Sequence, residues 1–138
     1  MSVTYSTAVP DKDQYFALFA STGWYRSLLL SADQLHEAVS RSWCLLAAYD
    51  GDRLVGCGRA IGDGVLHALI VDLIVLPEYQ RRDVGSHIVG ELVRECRSRG
   101  IPSIQLFCGK GKAGFYEQHG FAARLADAPG MDLKGWET

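Results

Sequence analysis

Val65-Leu66-His67-Ala68-Leu69-Ile70-Val71-Asp72-Leu73-Ile74-Val75-Leu76 stops at Pro77, and Gln80-Arg81-Arg82-Asp83-Val84-Gly85-Ser86 follows three residues later. The first run is apolar and β-branched and is closed by a proline, so it reads as a buried strand rather than a helix. Past the polar turn the period changes. Val84, Ile88, Leu92 and Cys96 recur every four residues, with Val89 and Val93 beside them, which predicts an amphipathic helix from near Val84 to Gly100. The unit is strand, short loop, helix.

That junction has a chemistry of its own. A helix start leaves backbone N–H groups without partners and carries a partial positive charge, so it is a natural seat for a phosphate. Gly85 permits close approach, Ser86 has little bulk, and Arg81 and Arg82 put two charges at the rim. The two readings of the stretch are an anion site and an ordinary strand-to-helix turn with solvated arginines.

Here the chain resembles the GNAT superfamily of acetyl-coenzyme A dependent N-acetyltransferases. The resemblance is carried by Gln80-Arg81-Arg82-Asp83-Val84-Gly85, set against that family's Gln/Arg-x-x-Gly-x-Gly/Ala, and by Phe115-Tyr116-Glu117-Gln118-His119-Gly120-Phe121, set against Phe-Tyr-x-x-x-Gly-Phe. It covers residues 65–121 most firmly. The fold it implies is mixed α/β (α+β): a mostly antiparallel central sheet of six to seven strands flanked by about four helices, in one domain over residues 1–138.

The whole chain sets bounds that agree. At 138 residues and 48% hydrophobic it has the length for one compact domain with a full core. A net charge of −2 argues against nucleic acid, which needs a broad basic surface. Arg81, Arg82, Arg94, Arg97, Arg99, Lys110 and Lys112 are half of the 14 basic residues and crowd between positions 81 and 112, a local excess suited to a polyanionic cofactor. Cys44, Cys57, Cys96 and Cys108 share no metal-site or disulfide spacing, so no metal is expected. The longest apolar run is shorter than the ~20 residues that span a bilayer, and no signal peptide is visible, so a cytoplasmic protein without a membrane partner is expected.

In chain order, Val3, Tyr5, Thr7 and Val9 predict a first strand ending at Pro10, and Asp11 a cap for a helix bearing Tyr15, Phe16, Leu18 and Phe19. Ser31 with Gln34 forms a capping box for a second helix, with Leu35, Ala38 and Val39 inward. Trp43–Tyr49 and Leu54–Ile61 read as strands joined by Asp50-Gly51-Asp52, and Asp63-Gly64 turns into the central strand. Ser103–Cys108 predicts a fifth strand and Lys112–His119 a short helix closed by Gly120. Phe121–Thr138 is expected to add one or two edge strands, including Met131-Asp132-Leu133.

The resemblance assigns roles. Backbone amides from Gln80 to Ser86 (Gln80, Arg81, Arg82, Asp83, Val84, Gly85, Ser86) would hold the diphosphate of acetyl-CoA, while Leu73, Ile74 and Val75 lend main-chain groups to the pantetheine arm. A backbone amide near Val75 would polarise the thioester carbonyl. Tyr116 matches the tyrosine that protonates the departing thiolate, and its other reading is a core aromatic, a role Phe115 beside it can fill. Phe115 and Lys112 complete the cofactor set.

Asp72, the only ionisable group late in the central strand, is the candidate base for the attacking amine, directly or through a water; it could equally cap a bulge or orient a neighbour. His67 is a further candidate, His36, His87 and His119 read as solvated or packed imidazoles, and Cys108 as a conceivable acyl carrier. Trp24, Tyr25 and Trp136 are candidate walls for the acceptor, or simple packing. Two residues depart from the family pattern: Asp83 replaces a glycine and brings a carboxylate toward the diphosphate, and Lys112 stands where an asparagine is frequent. The activity expected is acetyl transfer to a primary amine of a small molecule, against protein lysine or N-terminal acetylation and against a non-catalytic acyl-CoA binding module. A homodimer is compatible with the resemblance.

Overall fold

The computed structural model describes residues 2–135. The elements run β1 (Val3–Ser6), α1 (Lys12–Ala20), a 3₁₀ turn (Arg26–Leu28), α2 (Ala32–Ser40), β2 (Cys44–Asp50), β3 (Arg53–Gly62), β4 (His67–Val75), a second 3₁₀ turn (Pro77–Tyr79), α3 (Val84–Ser98), β5 (Ser103–Leu106) and α4 (Ala113–Glu117). The sheet order is β1-β2-β3-β4-β5. The first three pairings are antiparallel and β4–β5 is parallel, with α3 as the crossover that a parallel pair requires.

Local chemistry starts the first two helices where the sequence predicts. Asp11 Oδ2 accepts from the amides of Asp13 and Gln14, both at 3.1 Å. The Ser31 hydroxyl accepts from the Gln34 amide at 3.1 Å while the Gln34 side chain accepts from the Ser31 amide at 2.8 Å, a reciprocal capping box.

Alternation along β2 divides the core into two layers. Leu45 and Ala47 face α1 and α2, where Tyr15, Leu18, Phe19, Leu35 and Val39 are buried. Leu46 and Ala48 face the other way, onto Val84, Ile88 and Leu92 of α3. The helix sits close because β3 has glycines beneath it: a Cβ on Gly58 would lie 2.7 Å from Ile88 Cγ2, 3.2 Å from Leu73 Cδ1 and 3.3 Å from Leu92 Cδ1. Gly58→Ala is therefore expected to push α3 outward and cost about 1–3 kcal/mol, read as a lowered denaturation midpoint; an unchanged midpoint would contradict this packing.

The expected six to seven strands are corrected to five among the described residues. Thr7 and Val9 fall outside β1, because the Ser6 hydroxyl accepts from the Ala8 amide (3.1 Å) and turns the chain. Strand β5 ends at Leu106 instead of Cys108, and no strand forms at Met131-Asp132-Leu133, where Met131 and Leu133 are 85% and 87% exposed. The backbone passes over a ring there instead of joining a ladder, since a Cβ on Gly130 would stand 2.3 Å from Phe107 Cε1. Three alternating residues between Gly130 and Gly135 signal strand propensity and carry no information about a pairing partner.

Candidate functional site

The site begins where β4 and β5 part. Only His67–Ile70 of β4 pair with Ser103–Leu106, yet β4 runs on to Val75. At the parting point the register with β3 jumps from Arg59↔Val71 to Cys57↔Ile74, so Gly58 faces both Asp72 and Leu73, and Asp72 takes φ +53°. This is a β-bulge, which re-aims side chains. Ile70, Leu73 and Val75 pack with the α3 layer, whereas Ile74 packs with the α1–α2 layer.

The candidate base Asp72 is engaged at this bulge. Its Oδ2 accepts from Arg59 Nε at 3.1 Å and lies 3.0 Å from Arg59 Nη2, while Arg59 Nη1 donates to the Ala38 carbonyl of α2 at 3.1 Å. The pair is largely shielded, at 13% and 21% side-chain exposure for Arg59 and Asp72. It ties the bulge to α2. Arg59 was not singled out in the sequence, although one basic residue inside the apolar Leu54–Ile61 strand is the signal that marks it.

Beyond the bulge the outer edge of β4 is open. The Leu76 amide donates to the Val55 carbonyl on β3 at 2.9 Å, so alternation turns the Val75 amide and carbonyl the other way. That carbonyl accepts from Gln80 Nε2 at 2.9 Å, which holds the following loop against the strand end.

The loop is pinned by Tyr79, whose hydroxyl donates to the Asp50 carboxylate and whose ring lies under the guanidinium groups of Arg53 and Arg82, 5.9 and 5.8 Å from its centroid. Arg81 and Asp83 both take left-handed backbone angles, φ +61° and +64°. Glycine enters that region most easily and aspartate and asparagine next, which explains how Asp83 occupies a position where the resembling family has glycine. Asp83 is the N-cap of α3 but its carboxylate makes no capping hydrogen bond, and the first amide to close onto its carbonyl is that of His87, at 2.9 Å. The amides of Val84, Gly85 and Ser86 thus precede the first closed turn and gain no side-chain cap from Asp83. The Tyr5 phenol is pushed up by burial and, secondarily, by the nearby Asp83 charge.

Three elements meet at Gly85. A Cβ there would stand 3.6 Å from Phe115 Cζ of α4, 3.6 Å from Val75 Cγ2 and 4.0 Å from Leu73 Cδ2. The next residue, Tyr116, stands edge-on to Phe115 (ring centroids 5.0 Å apart, 81°) and to Phe121 (6.2 Å, 83°). Tyr116 lines a cavity of about 330 Å³ with Leu106 at the end of β5, Phe107 and Cys108 just past it, and Phe121 beyond α4. Burial, and then the neighbouring Cys108 thiol, push its phenol above the usual tyrosine range. Tyr116 is therefore protonated at neutral pH, the state a proton donor needs.

The remaining sequence candidates lie further out. Lys112, the residue before α4, is exposed and makes no side-chain cap, while its carbonyl accepts from the Phe115 amide at 3.1 Å. Trp24 and Tyr25, in the connection between α1 and α2, are 44% and 42% exposed, with Trp24 edge-on to Phe19 at 6.0 Å. Trp136 lies outside the described residues. His119, in sequence a packed or solvated imidazole, hydrogen-bonds Ser86 on α3, with 3.0 Å between Oγ and Nε2.

A split parallel pair thus opens onto an uncapped helix start, with a tyrosine-bearing short helix across from it. The acetyltransferase (GNAT) family profile matches residues 11–121, and the chain belongs to that family. It is 35% identical over 126 residues to a histone acetyltransferase of Glycine max, covering 83% of this chain and 53% of that one. It is 36% identical over 76 residues to serotonin N-acetyltransferase 2, chloroplastic, of Oryza sativa subsp. japonica, covering 55% and 38%. The chain thus spans about half or less of the length of these two curated relatives. A solved GNAT family acetyltransferase of Streptococcus pneumoniae superposes with a TM-score of 0.82 at 30% identity, over 99% of this chain and 100% of that chain.

Proposed function

We propose that this chain moves an acetyl group from acetyl-CoA to a primary amine of a small molecule by direct attack. The observation that carries the reading is the open edge of β4 leading to the uncapped start of α3, with Gly85 between them. The residues fit the cosubstrate part by part. The amides of Val84, Gly85 and Ser86 and the left-handed Arg81 and Asp83 suit a diphosphate. On its outer edge the stretch from Val71 to Val75 has no strand partner among the described residues and offers main-chain groups to the amides of a pantetheine arm, beside a glycine that takes up no room.

Acetyl-CoA supplies the activated thioester when bound. The Val75 amide, turned to the open edge, is available to the thioester carbonyl oxygen as charge builds on it. Tyr116 holds a proton on its phenol and delivers it to the departing sulfur, and the proton shed by the attacking nitrogen passes through solvent to restore the phenol. Asp72 serves this reading through its grip on Arg59, which keeps the bulge and hence the open edge in place. The cavity of about 330 Å³ beside Tyr116 falls in the size range of small-molecule pockets, which favours a small amine over a peptide. The names of the relatives point both ways, to serotonin and to histones.

A thiol-release assay over a panel of small amines and lysine peptides, run beside calorimetric titration with acetyl-CoA, tests the proposal. Amine-dependent release of coenzyme A is expected. Release with peptides alone would overturn the small-molecule assignment, and binding without turnover on any acceptor would make the chain an acyl-CoA binding module.

Asp83 gives a sharper test of the diphosphate seat. Two like charges about 4 Å apart repel by roughly 1 kcal/mol in water and about 4 near a protein surface. Asp83→Gly is therefore expected to tighten coenzyme A binding by about tenfold, and an unchanged Kd would mean that the carboxylate and the diphosphate are not neighbours.

A further inference from the structure

α4 is five residues long and fully buries none of them, with Phe115 and Tyr116 half-buried, so it cannot hold its place by core packing alone. It is held by particular contacts. Phe115 rests against the Gly85 position, Tyr116 against Phe121, and the imidazole of His119 reaches α3. That imidazole hydrogen-bonds Ser86 Oγ at 3.0 Å, lies tilted against the Phe115 ring at 5.4 Å, and crosses α3 above Gly90, where a Cβ would come within 3.9 Å of His119 Cε1. Ser86 and Gly90 are one turn apart on the same face of α3, and His119 is one turn past Tyr116, its amide donating to the Tyr116 carbonyl at 2.9 Å.

We propose that His119 is a positioning residue which, through Ser86, fixes the phenol of Tyr116 relative to the start of α3. The inference rests on the acetyl-transfer reading. There, the helix start holds one end of the cosubstrate and Tyr116 acts on its other end, so the span between α3 and α4 must be held to a fraction of an ångström. One rigid tie does this: the hydrogen bond between the third residue of α3 and an imidazole tilted against Phe115 of α4. Misplacement of about 1 Å at a reacting centre can cost roughly a hundredfold in rate, whereas cosubstrate affinity, carried by main-chain donors that neither substitution removes, is insulated from it.

The test is a double-mutant cycle with His119→Ala, Ser86→Ala and the pair, plus His119→Gln, whose amide nitrogen can reach Ser86. Each variant is read for kcat at saturating substrates, Kd for coenzyme A and melting midpoint. His119→Ala and Ser86→Ala are each expected to lower kcat by about tenfold or more with Kd changed less than about threefold. The double variant should be no worse than the poorer single one, and His119→Gln should recover most of the lost rate. Unchanged kcat in His119→Ala, single losses that multiply in the double variant, or a loss confined to Kd would each overturn the proposal. A wild-type chain that neither binds coenzyme A nor turns over would overturn the acetyl-transfer reading, and this inference with it. An active wild type indifferent to His119→Ala overturns this inference alone.

Discussion

Tyr116→Phe is expected to lower kcat by about 10²- to 10³-fold and to leave coenzyme A affinity within about twofold, because general acid catalysis contributes on that scale and the phenol oxygen is the only group removed. The aromatic contacts with Phe115 and Phe121 belong to the ring and survive the change. The sign of the pH dependence follows from the direction of the shift. Burial raises the Tyr116 pKa, so the protonated, competent form persists to higher pH than for a free phenol. The alkaline fall in kcat that belongs to Tyr116 should thus lie above pH of about 10 and vanish in the phenylalanine variant. A variant with wild-type kcat would remove Tyr116 from the chemistry and leave it as packing against Phe121.

Gly85→Leu should abolish cosubstrate binding, raising Kd by about a hundredfold or more, without unfolding the protein. Gly85 lies in the first turn of α3 with no positive φ, so a side chain is conformationally acceptable there. Its Cβ would meet Phe115, Val75 and Leu73 at ordinary van der Waals distances, and the rest of a leucine would extend across the pantetheine route proposed above. Alanine at this position should be far milder. The expected signature is a melting midpoint that holds or rises while calorimetric binding disappears, a combination that a general packing defect does not produce. Binding that survives Gly85→Leu would place the pantetheine route elsewhere.

What could be read from the chain was its local chemistry. Asp11, Ser31 and Gln34 act through hydrogen bonds within three residues of themselves, so their helix starts were visible before any fold was known. The four-residue recurrence of Val84, Ile88, Leu92 and Cys96 likewise predicts the buried face of α3, where all four are buried. The loop motif drew attention to residues 80–86, and Leu73, Val75, Gly85 and Phe115, taken from three separate stretches, do converge.

Non-local features were not legible. An apolar run such as Val65–Leu76 gives no sign of a bulge. The bulge at Asp72 depends on Arg59 across the sheet and on the Ala38 carbonyl of α2. It shifts the alternation, so that Leu73 and Val75 share the α3 layer with Ile70 while Ile74, an even number of residues from Ile70, packs in the opposite layer. The same distance in sequence hid the Ser86–His119 contact. The absence of further strands among the described residues after β5 has another cause: Met131–Leu133 carries strand propensity, and pairing needs a partner that β5, ending at Leu106, does not give it.

The central claim is that main-chain donors at the start of α3 grip the diphosphate. Amide chemical shifts followed during parallel titrations with coenzyme A and with pantetheine, which lacks the diphosphate, test it directly. The account predicts that the amides of Val84, Gly85 and Ser86 move strongly with coenzyme A and hardly at all with pantetheine. Equal shifts with both ligands, or a diphosphate-dependent response confined to another part of the chain, would contradict it.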